Sequence, residues 1–328
     1  MRLAEPEAVR PDIAGIGDFK YSVIMTAYNE DQSVREALKR TAAAFEAWDC
    51  PYEIIIVDDG STDRSWEIME EEARLNPKIT AISLVRNYGQ HPAMFCALKH
   101  STGDFVMTID ADLQNPPEEM IKLMKRAVQG NCDLIFGRFV KKRHSLVRRM
   151  GSRVIGLLNE KIFGKPKDLK ITNFRLMSRD LVTRMCGYRT AFPYINGLAL
   201  KFSSPSRRAN VLVEHCERKA GKSAYTPARI ARLVFTILFN YSSYPLVLVS
   251  TIGFIVAFAS FLLGVALIVK RLIVQDMVPG WTSLFVLMSF FNGIVTLLLG
   301  MLGEYVIRIL NTVSYTACYE VRGICKVD

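Results

Sequence analysis

The sequence predicts an α/β fold with a mostly parallel sheet, followed by two C-terminal transmembrane helices. Three observations carry this. Short apolar runs alternate with helical patterns through the first half of the chain. No residue is charged from Leu233 to Val269 or from Met277 to Gly303. Three apolar runs end in polar or acidic loops, and parallel strands bring such ends to one edge of a sheet.

Composition narrows the function classes. At 328 residues there is room for one large domain plus additions. The hydrophobic content of 50% is at the upper edge for a soluble protein, and the excess sits in the two uncharged stretches. A net charge of +10 suits an anionic membrane surface or an acidic substrate. No helix-turn-helix, zinc-finger or RNP pattern accompanies it, so nucleic acid is not an expected partner. The seven cysteines are odd in number and form no CxxC pair. That speaks against a disulfide framework or zinc site and for a reducing compartment. Met1 to Lys20 carries acids and prolines without an apolar core, so it reads as a loosely ordered arm rather than a signal peptide.

The elements follow in order. Tyr21 to Thr26 reads as a strand, Ala27 to Glu30 as a loop, and Asp31 to Trp48 as an amphipathic helix. Glu53 to Asp58 is a second, buried strand that runs into Asp59-Gly60-Ser61-Thr62-Asp63. Ser61 or Thr62 is placed to cap a helix over Arg64 to Asn76. A third strand spans Ile79 to Val85, a helix His91 to His100, and a fourth strand Phe105 to Ile109. Pro116-Pro117-Glu118-Glu119 opens the next helix with proline and acids in its first turn. Cys132 to Phe136 is a fifth strand, and a basic helix runs from about Ser145 to Phe163.

The chemistry centres on Asp110 and Asp112, one residue apart at the end of the fourth strand. Alone, Asp-x-Asp is common and reads as a solvated acidic turn. Here Tyr28-Asn29-Glu30 and Asp58-Asp59-Gly60 end two other strands, and in a parallel sheet all three loops lie on the same edge. Carboxylates converging there are costly unless a cation or a donor-rich ligand compensates them. Two carboxylates can hold a hard divalent cation, and the cation a diphosphate.

Tyr21 to Glu30, Asp58 to Ser61, Arg86-Asn87-Tyr88-Gly89-Gln90-His91 and Asp110 to Glu119 resemble the family 2 glycosyltransferases. Within them the chain is similar to the membrane-attached polyprenyl-phosphate type: dolichol-phosphate mannose synthases, GtrB-type glucosyltransferases and ArnC-like aminoarabinose transferases. The likeness runs from about Lys20 to Arg308. It implies a GT-A type nucleotide-sugar-binding domain, a nucleotide-sugar donor, UDP-linked by preference, and a polyprenyl (undecaprenyl) phosphate acceptor.

The resemblance also implies roles. Asp58 faces the base, with Tyr28 and Glu30 lining base and ribose and Asp59 beside them. Asp110 touches ribose or metal, Asp112 ligates Mg²⁺ or Mn²⁺, and Gln114 is a third contributor. Arg138 is the best match to an acceptor-phosphate arginine, followed by Arg148 and Arg149; Arg175 is grouped with them. A solvated helix face explains most of the other basic residues after Arg138. Asn173 stands where several relatives carry an acid considered as a base, so base catalysis is in doubt. A lipid phosphate is already an anion and needs none. Arg218, Ser223 and Tyr225 match a loop that closes on the donor phosphates, with Ala224 in a usual lysine place and Lys222 two residues earlier. His91, at a helix start, reads first as structural.

The organisation expected is an arm (1–19), a catalytic domain (20–226), an interfacial amphipathic helix (227–243), a transmembrane hairpin (244–303) and a cytoplasmic tail (304–328). Two spans put both ends on one side, the cytoplasmic face of the inner membrane. Alternating residues from Thr312 suggest a strand added to a neighbouring subunit, and the resemblance suggests a homo-oligomer, a tetramer. Two other functions compete: a processive polysaccharide synthase, for which two spans are few, and a nucleotide-binding membrane scaffold that has lost catalysis, suggested by Asn173 and Ala224.

Overall fold

The computed structural model describes residues 15–130, 132–139, 146–190, 192–214, 216, 227–242, 244–273, 280–313 and 318–327. Four strands, β1 (Tyr21–Ala27), β2 (Tyr52–Asp58), β3 (Ile79–Leu84) and β4 (Phe105–Asp110), form a parallel centre. β5 (Leu134–Phe139), β6 (Arg175–Ser178), β7 (Arg208–Val213) and β8 (Val321–Cys325) complete an eight-stranded sheet in the order β7-β5-β6-β4-β1-β2-β3-β8. Only β6 and β8 run against the rest. β2 is a run of isoleucine and valine with almost every residue buried. That is the composition expected of a parallel strand covered on both faces.

Helices α1 (Val34–Ala47), α2 (Ser65–Leu75), α3 (Gln90–His100) and α4 (Met120–Gly130) follow β1 to β4. α1 buries Val34, Ala37, Leu38, Thr41 and Phe45, the i, i+3, i+4 spacing of one helical face. Its Phe45 joins Tyr21, Trp48 and Tyr52 with ring centroids 5.2 to 5.9 Å apart. α5 (Leu146–Phe163) follows β5, and α6 (Arg179–Cys186) and α7 (Ile195–Phe202) lie between β6 and β7.

Three differences from the sequence expectation matter. First, no side chain of Ser61 or Thr62 caps α2; the Ser65 N–H instead donates to Asp63 Oδ1 at 3.0 Å. Second, β6, β7 and the two helices between them were not anticipated. Third, the tail divides. Through Val313 it continues the long apolar helix Trp281–Val313, and Val321–Cys325 forms β8 on β3 of its own chain. The Val85 N–H donates to Glu320 O at 3.0 Å, and Arg322 Nη2 to Val85 O at 2.7 Å. The tail strand thus covers its own sheet's edge rather than a neighbour's.

The chain divides into two compact units, Met1–Ile230 with Thr316–Asp328, and Ala231–Tyr315. α8 (Pro227–Tyr241) begins four residues before the second unit and continues into it, and that unit also holds α9 (Tyr244–Ile273) and α10 (Trp281–Val313). Thr251–Lys270 and Leu284–Ile307 are long and apolar enough to cross a membrane. Phe254, Phe258, Leu262, Phe291 and Leu298 are all exposed, unlike the core of a soluble helical hairpin. α9 and α10 approach closely at small residues: a Cβ on Gly253 would lie 3.1 Å from Thr296 Cγ2.

Candidate active site

The register aligns the predicted loops. Ala27 pairs with Asp58 and Thr26 with Asp110, so the ends of β1, β2 and β4 are level. β6 is antiparallel to β4, which brings its beginning to that edge, and with it Asn173. β5 reaches the same edge with Arg138, exposed and paired in register with Leu212 of β7.

The first two loops are sewn together. Asn29, with φ 55, donates its N–H to Ser61 Oγ at 3.0 Å, and its Oδ1 accepts from the Thr62 N–H at 2.9 Å. The Glu30 N–H donates to Ser65 Oγ at 2.8 Å, and Glu30 Oε2 accepts from Ser33 Oγ at 3.2 Å. Tyr28, at the same strand end, is 42% exposed rather than packed.

Asp58 and Asp59 are both buried. Asp58 accepts from the Ser61 N–H at 3.1 Å and from Ser83 Oγ at 3.4 Å, and burial raises its pKa. Asp59 accepts from the Tyr88 N–H at 2.7 Å and the Gly89 N–H at 2.9 Å. Burial pushes Asp59 up to about 6, against those two bonds. Asp59 therefore fixes the loop between β3 and α3. Gly60, at φ +69, lets that loop approach, since a Cβ there would meet the Arg86 carbonyl carbon at 2.5 Å.

Asp110 and Asp112 are each partly exposed at the crevice. Burial and the Asp112 charge push Asp110 up to about 6, opposed by Arg175 and by hydrogen bonds from Gln90 and Asn173. Leu113, with φ 58, turns the chain so that the Gln114 N–H donates to Asp112 Oδ1 at 3.1 Å. Gln114 O in turn accepts from the Cys216 N–H at 2.9 Å. Cys216 thus lies beside the acidic loop; Arg218, Ser223 and Tyr225 lie outside the described residues, as do the side chains of Arg148 and Arg149. Among the described residues no group of three His, Cys, Asp or Glu side chains is arranged to hold a metal by itself.

Arg175 departs from its expected role. It is fully buried on β6, with Nε donating to Thr108 Oγ1 at 3.1 Å, Nη1 to Asn196 Oδ1, and Nη2 against Met94 Sδ at 2.8 Å. Burial lowers it to about 10, opposed by the attraction of Asp110. An arginine so enclosed has no face for a lipid phosphate. It lies beneath the site, where its charge favours the carboxylate of Asp110 and its bond to Thr108 supports β4. Thr108 Oγ1 also donates to Asn173 O.

His91 packs edge-on against Tyr194, with ring centroids 5.2 Å apart. Burial first, and Arg175 second, lower it to about 4. The unfolded imidazole titrates near 6.5, so between pH 6.5 and 4 the unfolded state binds the extra proton. His91 thus contributes stability that is present above pH 6.5 and lost as pH falls through 4, about 3 kcal/mol for a shift of that size. Asp59 and Asp110, raised to about 6, act in the opposite sense: their contribution is present below the usual carboxylate range and lost as pH rises through 6. His91→Gln should therefore gain on the wild type as pH falls from 6.5 to 4 in urea unfolding followed by tryptophan fluorescence. An unchanged difference across that range would contradict the buried neutral imidazole.

A family model described as glycosyl transferase family 2 matches residues 22–189. A curated relative, undecaprenyl-phosphate 4-deoxy-4-formamido-L-arabinose transferase of Edwardsiella ictaluri, is 35% identical over 320 residues, covering 95% of this chain and 98% of that protein. The protein of the same name from Photorhabdus laumondii is 36% identical over 308 residues, covering 93% and 94%. Among solved structures, glucosyl-3-phosphoglycerate synthase of Mycobacterium tuberculosis, in complex with Mn²⁺, uridine diphosphate and glucosyl-3-phosphoglycerate, superposes with a TM-score of 0.55. It is 16% identical and covers 74% of this chain and 87% of that chain, a likeness of fold. The protein is a glycosyltransferase of the GT-A fold. It belongs to glycosyl transferase family 2.

Proposed function

We propose that this enzyme transfers a sugar from a nucleoside-diphosphate sugar, with uridine diphosphate preferred, to polyprenyl phosphate, inverting the anomeric centre. The observation that carries the reading is Asn173 beside Asp110 at the strand edge, in a chain with two spans long enough to cross a bilayer. An amide accepts no proton usefully at neutral pH, which suits an acceptor that arrives already ionised. A lipid phosphate does so, and the names of the relatives point the same way.

The donor chemistry fits a divalent cation: two partly exposed carboxylates at Asp110 and Asp112, with Gln114 as a third contributor, and the rest supplied by diphosphate and water as is usual for Mg²⁺ or Mn²⁺. When bound, such a cation neutralises charge developing on the leaving diphosphate. The chain's own residues orient the reactants. Tyr28, Glu30 and Asp58 take the nucleoside side, while Arg218, Ser223 and Tyr225 approach the donor phosphates. Arg138, with Arg148 and Arg149, receives the acceptor phosphate through the guanidinium fork. An acceptor phosphate oxygen forms a bond to the anomeric carbon as the carbon–oxygen bond to the diphosphate breaks, and the nucleoside diphosphate leaves with the electron pair. Positioning and electrostatics supply the rate. The lipid chain stays in the inner membrane, with the catalytic domain and both termini on the cytoplasmic side.

Paired acceptors test this. Undecaprenyl phosphate should accept sugar while undecaprenol, with the same chain and a hydroxyl that must lose a proton, should not. Equal transfer to both would refute the need for an ionised acceptor.

A further inference from the structure

Gln90 is the first residue of α3 and is exposed, yet both ends of its amide are engaged. Nε2 donates to Asp110 Oδ1 at 2.8 Å, and Oε1 accepts from Asn173 Nδ2 at 3.4 Å. One side chain on α3 therefore contacts both Asp110, at the end of β4, and Asn173, just before β6, two residues that the paired strands already bring side by side. We propose that Gln90 is a positioning residue of the transfer reaction, holding the Asp110 carboxylate and the Asn173 amide in a fixed mutual orientation. The proposal rests on the reading of this crevice as the donor site.

An exposed glutamine ordinarily samples many rotamers, so a lasting bridge requires a fixed backbone beneath it. The loop before it has one. The buried carboxylate of Asp59 accepts from the N–H groups of Tyr88 and Gly89, the two residues preceding Gln90. Gly89 turns the chain at φ +98, and its carbonyl accepts the Ala93 N–H at 3.3 Å, opening the helix. The order of support runs from Asp59 to the loop, from the loop to Gln90, and from Gln90 to Asp110. One oxygen of Asp110 is thereby occupied by a neutral donor, which orients the carboxylate without cancelling its charge toward a cation. Partners of this kind orient metal-binding groups, and their loss lowers metal affinity or activity by roughly 10–100-fold.

The experiment uses the full chain in lipid nanodiscs, comparing wild type, Gln90→Met and Gln90→Asn. Methionine keeps the length without the amide; asparagine keeps the amide one methylene short. Free Mn²⁺ is followed by its paramagnetic resonance signal with uridine diphosphate present, because the diphosphate completes the cation's shell, and kcat and KM are measured separately. Both variants should bind Mn²⁺ roughly 10–100-fold more weakly and lose kcat, while KM for the lipid acceptor stays the same. A role in polarity or folding alone would spare Gln90→Asn. Wild-type Mn²⁺ affinity in both variants would overturn the proposal and leave the donor-site reading intact. No Mn²⁺ binding by the wild type would overturn the donor-site reading and the proposal with it.

Discussion

Asp112→Asn should lower kcat by roughly 10²–10³-fold, the scale of losing one preorganised electrostatic group at a reacting centre. The substitution is nearly isosteric. Its remaining oxygen can still accept the Gln114 N–H that fixes Asp112 Oδ1 at 3.1 Å, so the turn at Leu113 should persist. What changes is one unit of negative charge beside Asp110. Asp112 raises the pKa of Asp110 in the wild type. Its removal should leave Asp110 more acidic but alone, so a divalent cation would be held by a single carboxylate. Thermal unfolding should be unchanged while turnover collapses. Turnover retained at the wild-type rate would remove Asp112 from the machinery.

Gly60→Ala should produce the largest loss of stability from a single methyl group. The residue sits at φ +69, where an L side chain costs about 1–2 kcal/mol. The added Cβ would also stand 2.5 Å from the Arg86 carbonyl carbon and 2.7 Å from the Asn87 nitrogen. Both are backbone atoms that cannot swing aside, and overpacking of this kind adds about 1–3 kcal/mol. At roughly 2–4 °C per kcal/mol, the catalytic domain should melt on the order of 10 °C lower. Gly164→Ala is the comparator, because its Cβ would meet nothing within 4 Å and only the backbone strain at φ +61 remains. The Gly60 variant should also lose activity beyond its loss of folded protein, since the displaced loop delivers Gln90. Equal melting of the two variants would show that the close approach at Gly60 carries no weight.

Much of the site was legible because it lies where alternating patterns end. β1, β2 and β4 announce themselves as apolar runs, and their level ends bring Tyr28, Asp58 and Asp110 to one edge. What was not legible depends on partners far apart in the chain. β6 is four residues long, and its first residue is an arginine. Patterning reads such a residue as exposed, and its burial is offset by Thr108, Asn196 and Met94, from three other elements, and by the charge of Asp110. Asp59 looks like a nucleotide contact until its two acceptor bonds to the 88–89 amides are seen. The tail strand alternated as expected of an edge, but alternation carries no information about which sheet it joins. Gln90 lay inside a motif that carried the resemblance, and its chemical role required the distances to Asp110 and Asn173.

The most direct test of the central claim is mass spectrometry of the lipid fraction after the purified full chain meets undecaprenyl phosphate, Mg²⁺ or Mn²⁺, and a panel of nucleotide sugars. A product heavier than undecaprenyl phosphate by one sugar residue should form, and only with a divalent cation present. A ladder of products, or no sugar-bearing lipid from any donor in the panel, would contradict the claim.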